Sequence, residues 1–262
     1  MIDARKSMTE RMSLSALRKF NTENATYSYK SAILLEALYR AYKVLGDESI
    51  LKFVKDMLDH YVPEDGVVLT YKLEAYSMDQ VRMGNIMLTM YDLTGDKKYK
   101  TAVDMFYQQL QTQPRTPSGG YWHKIGYPNQ MWLDGLYMQA PFKVSYCKRF
   151  GGLKECLDDE IMQFELVYEK TLDRCTGLLR HAWDESCKMP WCEPDTGRSH
   201  EVWARALGWY VMALADLLEI IPDEPEYADH RARLLKLAST LAPVLLRFQD
   251  ADTGMWWQVM DS

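Results

Sequence analysis

Cysteine is scarce in this chain, and its arrangement does not suggest a bridged scaffold. The 262 residues include five cysteines, an odd number, with no Cys-x-x-Cys pair. So few cysteines exclude a disulfide-dependent fold of this size, although Cys187 and Cys192 are close enough in sequence to bridge a loop. The first twelve residues also lack the apolar stretch of a secretory signal peptide. Both features predict reduced thiols and a cytoplasmic location.

Long apolar runs, excess positive charge and common cofactor motifs are missing too. No stretch reaches the roughly eighteen uncharged apolar residues that span a bilayer, so no membrane partner is predicted. The formal net charge of -6 excludes a global basic surface for nucleic acid. The histidines show no zinc spacing, and no G-x-S-x-G, P-loop or dinucleotide fingerprint occurs. No metal and no cofactor are therefore predicted.

The sequence is dominated by helical periodicity. Apolar residues recur at three- and four-residue spacing in residues 32–45 and 83–93, which is the pattern of an amphipathic helix. Both runs stop at the same pair, Gly46-Asp47 and Gly95-Asp96. Glycine supplies the left-handed helix end, and aspartate begins the next helix. The periodicity predicts four helical hairpins: 32–45 with 51–58, 83–93 with 99–106, 134–149 with 152–172, and 202–220 with 225–248.

Repeated hairpins form either an open solenoid or a closed toroid of paired helices. The connections between hairpins, about 62–76, 113–131 and 173–200, are long and aromatic, whereas the turns within hairpins are short. Six of the eight tryptophans fall between Trp122 and Trp209. Long loops on one side favour an all-α toroid with a pocket at one end, because a peptide-binding solenoid would distribute its features along a groove.

Residues 114–138 concentrate aromatic and polar side chains where a loop enters an apolar helix. Aromatic walls with a few polar groups suit a sugar ring, although aromatics that merely cap the core are an equal alternative. Asp134 follows Trp132 at the start of this helix, where an apolar wall raises a carboxyl pKa and a helix N-terminus lowers it. Asp79 begins the third helix in the same way. On spacing alone, each aspartate is a helix N-cap more often than a catalyst.

A second group of charged and aromatic residues enters the fourth hairpin. Arg205 and Trp209 share a helix face at i, i+4, and Trp203 joins them only if the helix begins after it. A guanidinium between two indoles is suited to a carboxylate on a ring. An arginine packed on tryptophan as a cation–π spacer is equally consistent with the pattern.

Two histidines lie in the long connections. His123 and Lys124 precede Asp134 by one loop, and His181 lies in residues 177–186, which resemble a short β-hairpin. A single histidine is more often structural than functional, so spacing alone assigns no role to either.

Three motifs together resemble the unsaturated rhamnogalacturonyl hydrolases, glycoside hydrolase family 105, which is related to family 88. They are Trp-His-Lys-(x)7-Trp-Leu-Asp-Gly-Leu-Tyr-Met, His-x-Trp-Asp-Glu-Ser and Trp-Ala-Arg-Ala-x-Gly-Trp-Tyr. The resemblance extends from about residue 25 to Ser262 and implies an (α/α)6 toroid, in agreement with the hairpins. It also implies a substrate: pectin fragments that carry a 4,5-unsaturated galacturonic acid, usually linked to rhamnose.

The resemblance implies an unusual hydrolysis. An acid protonates C4 of the enol ether, water adds at C5, and the resulting hemiketal opens and releases the neighbouring sugar. One carboxyl group serves first as acid and then as base. By resemblance Asp134 is this catalytic group, and Asp79 is a second carboxylate that orients the sugar or the water. The positions that match the substrate pocket are Tyr29, His123, Lys124, Trp132, Met138, His181, Trp203, Arg205 and Trp209.

The resemblance also sets expectations for the extent of the domain. A single toroid domain is predicted over residues 1–262, with about four of six hairpins present and the C-terminal part truncated. Ala206-Leu207 stands where many members have Gly-Asn. The predicted partner is an unsaturated uronic-acid oligosaccharide, and no oligomeric state is predicted.

Two other functions are compatible with the same residues. One is a conventional inverting glycosidase that acts on saturated sugars, with Asp79 and Asp134 as base and acid. The other is a catalytically inactive helical scaffold that binds sugars or proteins.

Overall fold

The computed structural model describes residues 6–262, which are mostly helical. Two three-residue strands, β1 (Gln130–Trp132) and β2 (Ala182–Asp184), form the one sheet assigned in this part of the chain. Short 3-10 turns occupy Leu73–Ala75 and Pro225–Tyr227. The α-helices are α1 (Met8–Lys19), α2 (Tyr29–Leu45), α3 (Glu48–Tyr61), α4 (Met78–Val81), α5 (Gly84–Thr94), α6 (Lys97–Gln111), α7 (Leu133–Phe150), α8 (Leu153–Thr171), α9 (Ala204–Ile220) and α10 (Ala228–Arg247).

The described chain divides into two compact units. The first comprises residues 6–73 and Asp79–Gln108, and the second comprises Glu74–Met78 and Gln109–Ser262. The prediction of a single domain stays a prediction. The core of the first unit is formed by apolar side chains at the predicted helical spacing, including Leu35, Val54, Leu58, Met87 and Phe106, each fully buried.

The two repeated Gly-Asp stops fold as predicted. Gly46 and Gly95 end α2 and α5 with φ angles of 66° and 68°, where glycine avoids the cost that a side chain would incur. The Asp47 carboxylate then accepts a hydrogen bond from Ser49 N at 2.9 Å, and the Asp96 carboxylate accepts one from Lys98 N at 3.1 Å. Each aspartate satisfies an N–H at the start of the following helix.

Helix α1 was not predicted. Ser7 caps it by accepting a hydrogen bond from Glu10 N at 3.2 Å, a recognisable N-cap. Only Ser13 and Ala16 of this helix are buried, while Met8 and Met12 are more than 60% exposed. The apolar residues therefore do not form the continuous buried stripe on which the periodicity argument relies.

In the second unit, helix α7 is buried along nearly its whole length. Phe142 and Val144 of α7 and Phe164 of α8 are fully buried. Tyr210 of α9 donates a hydrogen bond to the Phe164 carbonyl at 3.1 Å. Three helices thus share one core, and the N-terminal end of α7 is held where the long connections meet.

The predicted β-hairpin at residues 177–186 is wrong. Strand β2 pairs antiparallel with β1, with Met131 opposite Trp183, and Trp183 also forms an antiparallel bridge with Arg198. Neither partner lies within residues 177–186. Residues 172 and 179 form only an isolated bridge. The sequence pattern identified an extended segment but not its partner, because three-residue strands carry too little alternation to specify pairing. The actual pairing brings the loop that contains His181 to the start of α7, where Leu133 N donates to the His181 carbonyl at 3.2 Å.

Candidate active site

Asp134 lies in the first turn of α7 and is 8% exposed. The N-cap position belongs to Trp132, so the interpretation of Asp134 as a plain N-cap is wrong. Its Oδ2 atom lies 3.0 Å from His181 Nε2, and its Oδ1 atom lies 3.7 Å from Arg205 Nη2. The carboxylate therefore contacts side chains from two distant parts of the sequence.

The pKa of Asp134 reflects opposing influences. Burial, the largest single influence, raises the pKa. The hydrogen bond and charge of His181 and the charges of His123 and Arg205 together lower the pKa by more than burial raises it. The net pKa lies below the usual aspartate value. The helix N-terminus also favours a negative charge at this position. The group is thus a carboxylate at neutral pH.

Aromatic rings form one wall of the site. The Trp132 indole is stacked on His123 with ring centroids 5.0 Å apart and on Tyr127 with centroids 4.9 Å apart. His181 meets the same indole edge-on at 5.1 Å. The stack holds His123 and Trp132 rigidly beside Asp134 and provides the apolar surface that a sugar ring needs.

Arg205 and its neighbours border the carboxylate on another side. Helix α9 begins at Ala204, immediately after Trp203, which is the condition under which this indole joins Arg205. The guanidinium carbon lies 5.6 Å from the Trp203 ring centre, and the Arg205 side chain is half exposed. Trp209 is stacked on Tyr137 with centroids 5.0 Å apart. Arg205 is thus held on an indole, with its charge accessible to an anion.

An open cavity of about 360 Å³ adjoins these residues. This volume lies within the range of small-molecule sites, about 300–1,000 Å³. The lining residues are Trp132, His181, Ala182, Trp191, Ser199, His200, Glu201 and Trp203.

The remaining predicted site residues have varied positions. Lys124 is half-buried, and its Nζ lies 4.0 Å from the Tyr127 ring centre. Met138 is 1% exposed inside α7, which places it in the core of the second unit. Tyr29, the first residue of α2, and Asp79, in α4, are half-buried residues of the first unit. Their functional roles, like those of the other residues, remain predictions.

Tyr127 and Trp191 were not singled out from the sequence. Tyr127 lies within the aromatic segment 114–138, and Trp191 lies in the aromatic connection 173–200, so composition flagged both regions. What identifies the residues is three-dimensional stacking and cavity lining. Within residues 6–262, no three His, Cys, Asp or Glu side chains are arranged to hold a metal ion, and no helix there is long and apolar enough to cross a membrane.

Known proteins resemble this chain in sequence and in structure. The model of Glycosyl Hydrolase Family 88 matches residues 3–262. A solved family 105 glycoside hydrolase from C. acetobutylicum ATCC 824 has 37% sequence identity and a TM-score of 0.92, over 98% of this chain and 70% of that one. A possible GH105 member from Salmonella enterica has 22% identity and a TM-score of 0.76, over 90% of this chain and 59% of that one. These similarities confirm the predicted fold class, an all-α chain of helical hairpins of the (α/α)6 toroid type.

A curated relative matches a shorter segment. The 24.9 kDa protein in the picA locus of Rhizobium radiobacter is 38% identical over 125 residues, which is 48% of this chain and 51% of that protein. The chain therefore spans about half the length of the curated relatives it matches.

Proposed function

Because the chain belongs to Glycosyl Hydrolase Family 88 and its close relative family 105, we propose that it hydrolyses 4,5-unsaturated galacturonyl-rhamnose by hydration of the enol ether. The observation that carries this proposal is the position of Asp134. It is buried beside the Trp132 stack, hydrogen-bonded to His181 and close to Arg205. A carboxyl group, an accessible guanidinium and indole walls are the groups that an unsaturated uronate requires.

Arg205 is the group best placed to hold the uronate carboxylate. It is always charged, half exposed and supported by Trp203. Lys124 is a second cation for this role, and the indoles provide surfaces for the ring. Asp79, by resemblance, is the carboxylate that orients the sugar or the water.

Binding of a uronate would raise the pKa of Asp134. Burial raises this pKa, whereas His181, His123 and Arg205 lower it. A substrate carboxylate that pairs with Arg205 neutralises that cation, and the sugar excludes water from the cavity. Both changes favour the protonated form of Asp134, which is the form that donates a proton.

The reaction then needs one carboxyl group in two roles. Asp134 donates its proton to C4, which leaves a cation shared by C5 and the ring oxygen. Water attacks C5 and returns a proton to Asp134, and the product is a hemiketal. The hemiketal ring opens, which leaves a ketone at C5 and a hemiacetal at C1. The hemiacetal collapses to an aldehyde, and the bond to the neighbouring sugar breaks with release of its free hydroxyl. One water is consumed, and no cofactor is required.

Asp134→Asn tests this proposal, because asparagine preserves shape but cannot donate the proton. We expect turnover of the unsaturated disaccharide to fall about 100- to 10,000-fold, measured as loss of absorbance of the conjugated double bond. Sugar binding, measured by calorimetry, should persist. Asp223→Asn, at an aspartate whose side chain is 97% exposed, is the matched control and should retain full activity.

The same assay separates the alternatives. Turnover of a saturated disaccharide but not of the unsaturated one would instead establish a conventional glycosidase. Binding without turnover by the wild-type protein would support an inactive sugar-binding scaffold. Unchanged activity of Asp134→Asn would refute the role of Asp134.

A further inference from the structure

The cavity next to Asp134 is lined partly by residues that the proposed chemistry does not use. Two lining residues belong to the proposed site: His181, which is hydrogen-bonded to Asp134, and Trp203, which supports Arg205. Three others do not: Trp191, His200 and Glu201. We refer to these three residues as the outer wall.

The loop that carries the outer wall is held in place by buried polar contacts. The fully buried Asp184 carboxylate accepts hydrogen bonds from the backbone N–H groups of Ser186, Lys188 and Met189, at 2.9 to 3.0 Å. Further along, Ser199 N donates to the Ala182 carbonyl at 2.9 Å. Residues on both sides of Trp191 are therefore anchored to strand β2, which makes the outer wall a preformed surface.

The surroundings of Asp134 and the outer wall differ in charge. Arg205 brings a cation to Asp134, whereas the outer wall includes the exposed acidic residue Glu201. A uronate is attracted by Arg205 and repelled by Glu201. The half-buried Trp191 provides an apolar surface for the carbon face of a neutral sugar.

We propose that the outer wall binds the sugar that is released, and that Glu201 selects a neutral sugar over a uronic acid at that position. This proposal rests on the proposed function, which places the unsaturated uronate next to Asp134 and Arg205. It adds that Trp191 and Glu201 determine the choice of leaving sugar while taking no part in the chemistry.

Three substrates with the same reacting ring test the proposal. In two of them the unsaturated uronate is linked to rhamnose or to galacturonate, and the third is its methyl glycoside. The wild-type protein should show a higher kcat/KM for the rhamnose substrate than for the galacturonate substrate. Glu201→Gln should reduce the ratio of the two kcat/KM values about fivefold or more, since one repulsive charge is removed. High salt should reduce this ratio in the wild-type protein but not in Glu201→Gln, because salt screens the same charge. Glu169→Gln, at an exposed glutamate of α8, is the matched control and should leave the preference unchanged.

Trp191→Ala tests the contact with the released sugar. We expect kcat/KM for the rhamnose substrate to fall about tenfold, through KM, since an apolar contact is lost. The methyl glycoside lacks that sugar, so its kcat/KM should not change. Trp191→Phe retains an aromatic ring and should therefore recover most of the kcat/KM that Trp191→Ala loses. Thermal unfolding of both variants shows whether they still fold like the wild-type protein.

The outcomes distinguish the two proposals. If the wild-type protein turns over none of the three substrates, the proposed function is wrong and the outer-wall proposal falls with it. If all three are turned over with equal efficiency, or if Trp191→Ala impairs the methyl glycoside as much as the disaccharide, only the outer-wall proposal is overturned.

Discussion

The environment of Asp134 shows how individual residues set the charge of a buried carboxyl group. Burial acts in one direction on its pKa, and three cationic or hydrogen-bonding neighbours act in the other. Of these, His181 alone makes a direct hydrogen bond, at 3.0 Å. The protonation state therefore depends on these three neighbours as well as on burial.

Removal of His181 should raise the pKa of Asp134. In His181→Ala the hydrogen bond that lowers the pKa of Asp134 is lost, whereas the burial that raises this pKa remains. A carbon-13 NMR titration of the aspartate carboxyl groups measures this change. His200→Ala removes an exposed histidine that lines the same cavity and should leave the Asp134 titration where it is in the wild-type protein. If the pKa of Asp134 is unchanged in His181→Ala, then Arg205 and the helix N-terminus are enough to keep it low without His181.

The sequence motifs indicated which residues belong to the candidate site, but not which of them contact one another. The resemblance named Asp134, His181 and Arg205, and the structure shows how they meet through the β1–β2 pairing and the start of α9. It also named Met138, which is buried in α7, and it did not include Trp191, which lines the cavity. A side chain that lines a cavity from a long loop cannot be identified by periodicity, because the loop has none.

At the scale of elements, helices were predictable where one face is continuously buried. The four predicted hairpins correspond to α2–α3, α5–α6, α7–α8 and α9–α10, and the Gly-Asp stops marked two of their turns. Helix α1, which buries only two residues, was missed, and the partner of β2, which lies far away in sequence, was not identified. A sequence pattern predicts an element when the element buries one continuous face of its own. It does not predict a strand whose stability depends on a partner far away in sequence.

The anchored loop of the outer wall should be sensitive to a single methyl group at Gly197. Gly197 has a φ angle of 73°, and an added Cβ would lie 2.1 Å from the Asp184 carbonyl oxygen. Gly197→Ala should therefore lower the free energy of unfolding by about 1–3 kcal/mol, measured by urea denaturation. The matched control is Gly254→Ala, because Gly254 has a similar φ of 68° and no contact closer than 3.9 Å. Equal losses in the two variants would mean that backbone strain, and not the close approach to Asp184, accounts for the effect.

For the whole molecule, the fold class was predictable because hairpins repeat along the chain. The repetition indicated an all-α architecture, the three motifs indicated the family, and both the family match and the structural similarity confirm them. The division into two compact units was not predictable from the helical pattern. Such a division depends on which contacts form between distant segments, and helical periodicity does not record those contacts.

The stability of the whole molecule should fall in acid. Several carboxyl groups have a folded-state pKa below the usual value: Asp59, Asp134, Asp159, Glu165, Asp173 and Glu185. For all six, burial raises the pKa, but ion pairs and hydrogen bonds lower it by more. A group with a lowered folded-state pKa contributes stability above its unfolded pKa of about 4, and this contribution is lost as the pH falls through the folded-state value. Tm should therefore be nearly constant near neutrality and decrease below about pH 4.

Asp159 provides the specific test of this trend. Its carboxylate accepts hydrogen bonds from Arg115, Lys143 and Tyr121. Asp159→Asn should lower Tm at neutral pH, and the difference from the wild-type protein should shrink in acid. Asp223→Asn should follow the wild-type curve throughout. A difference for Asp159→Asn that is independent of pH would show that packing, not charge, accounts for the loss.

The anchoring of residues 186–199 on Asp184 and Gly197 has a consequence for the diversification of this protein. Two supports of the loop are backbone contacts, to the buried Asp184 carboxylate and at Gly197, so exposed residues such as Lys188, Pro190 and Asp195 can vary without disturbing them. Substitutions at these positions would change the surface beside Trp191 and leave the helices beneath it unchanged.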